Sequence, residues 1–165
     1  CASKGGVMQL TKVAALALIA TSSRGDTASM AAARADASDL PSTFHRLSKR
    51  AVASSLHPDH RTAAMISRVQ KMSERLGGAV LRQQSQIRRN DDAGRLAEIR
   101  CPTLIVAGAQ DEVRSLDEAE TLCQRIPAAS LEVVDHSGHL IPVEQPQQLL
   151  KALRRLCLLA CVAPR

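Results

Sequence analysis

Two short stretches in the last third of the chain carry side chains suited to proton transfer. One is AQD, ending at Asp111 and directly following the apolar run TLIVAG. The other is HSGH, ending at His139 and directly following SLEVVD. A carboxylate that holds one ring nitrogen of an imidazole fixes its tautomer. It also stabilises the imidazolium formed when the other nitrogen takes a proton. Ligands of open parallel sheets sit beyond the carboxyl ends of the strands. Asp111 and His139 can therefore meet if the runs before them are neighbouring strands. Alone, each has a plainer role, the aspartate as a turn former and the histidine as a loop residue. His57 and His60, like His136 and His139, form H-x-x-H, with Asp135 beside the second pair. A metal centre needs three or four converging ligands, and each spacing supplies two, so neither a metal nor another cofactor is expected.

The elements that must position these groups follow from periodicity. Val13–Ala20 (VAALALIA), Thr103–Gly108 and Ser130–Asp135 read as strands, short apolar runs of the kind buried in parallel sheets. Lys4 and Lys12 before the first run also suit a signal peptide, but the sheet that the later runs need favours a strand. Ser115 with Glu118 forms a capping box. Ala119, Leu122, Cys123 and Ile126 then share one helical face, and Pro127 stops the helix. A last amphipathic helix starts near Pro146, with Leu149, Leu150, Leu153, Leu156 and Cys157 on its apolar side. Strand–helix–strand–helix implies a parallel sheet. Between Gly25 and Ile99 there is no strand signal. Met65, Ile66, Val69, Met72 and Leu76 recur at helical spacing there, punctuated by Pro41, Pro58 and Gly77–Gly78. Three or four helices inserted between two strands are expected.

Composition narrows the functions. The chain has 165 residues, 45% of them apolar, with one Phe and no Trp or Tyr. That suits one aliphatic-cored domain and argues against aromatic platforms for single-stranded nucleic acid. No apolar run reaches the ~18 residues of a membrane-spanning helix. No nucleic-acid or membrane partner is expected. The net charge of +6 is uneven: residues 1–44 carry +1, 45–100 carry +7 and 101–165 carry −2. A solvated basic helical face explains this, and so does attraction of an anionic substrate. Five cysteines without a C-x-x-C pair fit reduced thiols, hence a cytoplasmic location.

The stretch IRCPTLIVAGAQD, the helix ending in Ile126-Pro127, and SGHLIPVEQP together resemble the C-terminal half of the α/β-hydrolase superfamily. That family shows an aliphatic strand, G-x-x-D, a helix, another strand, then G-H with E-x-P. The resemblance implies Asp111 as triad acid and His139 as general base. The chain opens CASKGG, in which Ser3, Gly5 and Gly6 match the family's elbow serine and the glycines after it. Ser3 is then the nucleophile, and the Lys4 backbone N–H is the remaining oxyanion donor. Cys1 stands where the elbow has its first glycine, and only Val7–Lys12 separate Gly6 from the strand.

The implied organisation is residues 1–24 as elbow remnant and sixth strand, 25–99 as helical cap, and 100–165 as the α/β segment with the acid and histidine loops. The expected fold is α/β, the C-terminal part of a doubly wound parallel sheet of about three strands with an inserted helical cap, and incomplete. The expected activity is hydrolysis of small, ester-like substrates, esters or lactones, with an anionic acyl group suggested by the basic cap. The alternative is an inactive remnant that binds or has no function. In either case an exposed sheet edge invites self-association. A minor alternative rests on His57-Pro58-Asp59 after the basic RLSKRAVASSL, which resembles the J-domain of Hsp70 co-chaperones, with Lys49 and Arg50 on the basic helix.

Overall fold

The computed structural model describes residues 15–28, 32, 46–87 and 89–162. Among them, three strands form one parallel sheet in the order β1 (Leu16–Ile19), β2 (Thr103–Gly108), β3 (Ala129–Val134). The sheet is therefore of the expected α/β type. The first strand is shorter than the apolar run that announced it: Ala15 precedes it and Ala20 ends it with φ at 47°. A left-handed residue cannot continue the pleat. The third strand is displaced one residue towards the N-terminus, because the backbone of Thr103 pairs with that of Ala128 and draws Ala129 into the ladder.

Successive side chains of a strand point to opposite faces, and β2 is buried on both. Leu104 and Val106 pack with Val134, Ile141, Leu149, Ala152 and Leu156 on one face. Ile105 and Ala107 pack with Leu96, Ala119, Leu122 and Ile126 on the other. Helices therefore cover both sides of the sheet, α3 (Leu116–Arg125) on the second face and α4 (Ile141–Glu144) with α5 (Pro146–Val162) on the first. The capping box forms as expected: Glu118 N–H donates to Ser115 Oγ, and Ser115 N–H donates to the Glu118 carboxylate. The apolar side of α5 differs from expectation. Leu149, Ala152 and Leu156 are buried, whereas Leu150 and Leu158 are exposed and Cys157 lies on the outside. Alanine is small enough to let the helix approach the sheet, and this rotates the contact stripe away from Leu150 and Cys157.

Between β1 and β2 the described chain is helical. It comprises α1 (Lys49–Ala53), a 3-10 turn at Pro58–His60, α2 (Ala63–Ser85) and a second 3-10 turn at Ala93–Glu98. Val52, Leu56 and Val69 form a small core here with Leu47, Met65, Ile66 and Leu140. Met72 and Leu76, expected on the same stripe, are exposed. Gln70 and Ser73 are buried instead, and the Gln70 amide donates to the Leu47 carbonyl. Buried polar groups with partners are tolerated, and here they displace the apolar stripe. The glycine pair interrupts α2 but does not end it: Gly77 has φ 76° and ψ 158°, and helix continues on both sides. No helix among the described residues is long and apolar enough to cross a membrane.

Candidate active site

Asp111 lies just past β2, and its carboxylate is fixed before it meets any histidine. Oδ1 accepts the backbone N–H groups of Val113 at 2.7 Å and Arg114 at 2.9 Å. This is the local aspartate turn that favours the residue after a strand. It leaves Oδ2 aimed at His139 Nδ1, 2.9 Å away, and the Asp111 side chain is 1% exposed. A carboxylate can only accept, so the proton of this bond belongs to Nδ1. Nε2 of His139 then carries the free lone pair, and the ring is 28% exposed. The arrangement can take a proton at Nε2 and stabilise the resulting imidazolium.

Two glycines let the loops approach. A Cβ on Gly108 would collide with the carbonyls of Gly138 and Ser137. A Cβ on Gly138 would lie 2.8 Å from the His57 nitrogen. Gln110 joins the two loops: its N–H donates to the Ser137 carbonyl, and its side-chain oxygen accepts from Ser137 N–H. Its amide nitrogen also reaches Asp135 Oδ1 at 3.3 Å. That oxygen accepts the His136 N–H as well, and these two bonds hold the exposed Asp135 carboxyl below the ordinary aspartate range.

The segment before α2 is stitched to both loops. His139 N–H donates to the Ser55 carbonyl at 2.9 Å, and Arg61 pairs with Glu112 at 2.6 Å beside Asp111. Glu144 is the centre of this docking. Its side chain is 0% exposed. Oε1 accepts His57 N–H at 2.6 Å and lies 3.0 Å from His60 Nδ1, while Oε2 accepts Gly138 N–H at 2.9 Å. In the sequence Glu144 stands only as the acid of E-x-P, with no role of its own. A glutamate in an apolar stretch, two residues before a proline that opens a helix, was the available signal.

Asp111 and His139 are thus brought together. Ser3 and Lys4 lie outside the described residues. Asp135 points to His136 and Gln110, not to His139. The tripeptide His57-Pro58-Asp59 caps and opens the 3-10 turn, and its first residue donates its N–H to Glu144.

Residues 5–152 match the model of the alpha/beta hydrolase family. A 57-residue stretch, 34% of this chain, is 40% identical to 3-oxoadipate enol-lactonase 1 of Acinetobacter baylyi and covers 21% of that protein. Among solved structures, a hydrolase from Pseudomonas aeruginosa PA01 superposes with a TM-score of 0.71 at 26% identity, over 86% of this chain and 54% of its own. The enol-lactonase from Burkholderia xenovorans LB400 superposes with a TM-score of 0.74 at 16% identity, over 87% and 56%. The chain thus spans about half the length of these solved structures.

Proposed function

The chain belongs to the alpha/beta hydrolase family, and on that premise we propose that it hydrolyses small esters or lactones through Ser3, His139 and Asp111. The observation that carries this reading is the 2.9 Å bond from His139 Nδ1 to an Asp111 carboxylate already held by two backbone N–H groups. A histidine so oriented presents Nε2 as a base for a serine hydroxyl. Ser3 Oγ attacks the acyl carbon, and His139 takes its proton and returns it to the leaving oxygen. The Lys4 N–H stabilises the oxyanion, and water then releases the acid from the acyl-enzyme. Asp111 stays ionised and orients the ring. The match to an enol-lactonase supports the ester-or-lactone class. The net charge of +7 over residues 45–100 supports an anionic acyl group.

The test is p-nitrophenyl ester hydrolysis by the chain and its variants. His139→Gln is expected to lower kcat by ~10²–10⁴-fold, the usual worth of general acid–base catalysis. Hydrolysis indifferent to Ser3→Ala refutes the mechanism. Equal turnover of matched neutral and carboxylated esters, without salt dependence, refutes the anionic preference.

A second reading, a catalytically silent binding remnant, is favoured by one observation: among the described residues β1 pairs with β2 alone. An open edge recruits a second chain. Sedimentation of a compact monomer, together with turnover, removes this reading.

A further inference from the structure

The two H-x-x-H pairs are far apart in sequence, yet the fold sets one histidine of each beside the same carboxylate. His57 Nδ1 lies 3.8 Å and His136 Nδ1 3.9 Å from Asp59 Oδ2. One ligand atom from each of these three residues lies within 4.8 Å of the other two. The two imidazoles are neighbours, with ring centroids 5.2 Å apart. We infer that His57, Asp59 and His136 bind a first-row divalent cation of the zinc type, at a site separate from the Asp111–His139 pair.

The protonation pattern already suits a cation. Asp59 N–H donates to His57 Nδ1 at 3.1 Å, so this nitrogen carries a lone pair and the proton sits on Nε2. An ion bound at Nδ1 replaces that amide proton without any change of tautomer. On the other ring, His136 Nε2 faces Asp135 Oδ2 at 3.8 Å, which leaves Nδ1 turned to Asp59. A carboxylate hydrogen-bonded to the far nitrogen is the usual support of a metal-bound histidine; Asp135, on the exposed side of the ring, has to close by about 1 Å to give that bond.

The donor set, two imidazoles and one carboxylate, suits zinc, cobalt or nickel and not calcium or magnesium, which prefer oxygen cages. Bonds of about 2.0–2.1 Å in a tetrahedron place donors about 3.4 Å apart. The two separations from Asp59 need to shrink by about half an ångström, and the two imidazole donors, within 4.8 Å of each other, by up to about 1.4 Å. Asp59 and His136 can make this movement, because their side chains are 73% and 63% exposed, while buried His57 stays as the fixed point. Three protein ligands leave a fourth position for water. Occupancy would join the turn before α2 to the loop that carries His139. This reinforces the docking made by Glu144 through a different set of atoms.

The test is calorimetric titration of the full chain, stripped with chelator, with zinc alone at neutral pH. One site per chain is expected. Asp59→Asn and His136→Asn should each weaken binding at least tenfold. Asparagine is chosen at 136 because that residue has φ 51°, a conformation asparagine accepts. Asp135→Asn, which leaves all three ligands in place, should weaken binding by ~10–100-fold. Cobalt in place of zinc should give a spectrum without thiolate charge transfer. Absence of binding, or binding unchanged by Asp59→Asn and His136→Asn, as when the free thiols Cys101, Cys123 or Cys157 hold the ion, overturns the inference.

Discussion

Glu144→Gln replaces one heavy atom, a carboxylate oxygen by NH2, at almost no change of volume, and it tests how the His139 loop is held. The carboxylate accepts two backbone N–H groups, one on each oxygen, from His57 and Gly138, and Oε1 also meets His60 Nδ1. An amide keeps one oxygen as acceptor and turns an NH2 towards the other backbone N–H. Two buried donors then face each other; the backbone N–H loses its acceptor, and the NH2 keeps one only if it lies on His60 Nδ1 and that ring changes tautomer. A buried polar group without a partner costs about 1–3 kcal/mol, so the pair should cost about 2–6 kcal/mol, a large share of the ~5–15 kcal/mol that stabilises a typical domain. With a urea slope of ~1–3 kcal/mol/M, a loss near the middle of that range lowers the midpoint by ~1.3–4 M. Urea unfolding of both proteins measures this. Hydrogen exchange at the amides of His57 and Gly138 shows which one lost its acceptor. An unfolding free energy within ~0.5 kcal/mol of the parent at an unchanged slope, with both amides still protected, would refute the idea that Glu144 fastens the His139 loop.

Three further outcomes follow from the same geometry. Gly138→Ala places a methyl 2.8 Å from the His57 nitrogen and should cost about 1–3 kcal/mol by overpacking, with loss of the His139 N–H bond to Ser55 visible by exchange. Ser115→Ala removes one arm of the α3 capping box and should cost about 1 kcal/mol, read by urea unfolding. The Asp135 carboxyl, held below the ordinary aspartate range when folded, contributes stability that is present above that range and lost as pH falls through its lowered value. An NMR titration of the metal-free chain should place its midpoint below that of an unfolded peptide, and Asp135→Asn should flatten the acid limb of the stability curve.

The primary structure alone specified the local elements. The apolar run Thr103–Gly108 predicted β2 to the residue, and Ser115 with Glu118 predicted the start of α3, because both signals act within a few neighbouring residues. It also pointed to Asp111 and His139, since each ends a strand of a parallel sheet and such ends converge. The stripes of α2 and α5 were misjudged at Met72, Leu76, Leu150 and Cys157. Periodicity names an apolar face, but the neighbour that a helix meets chooses which part of it is covered, and here Gln70, Ser73 and Ala152 took those places. Glu144 carries only a local cue, a glutamate in an apolar stretch, and the His57–Asp59–His136 cluster only two separate H-x-x-H spacings; neither cue names its partners. Their partners lie up to 87 residues away, and a hydrogen bond depends on tenths of an ångström that no spacing along the chain encodes. Proximity of distant groups, and with it the chemistry they share, comes from packing.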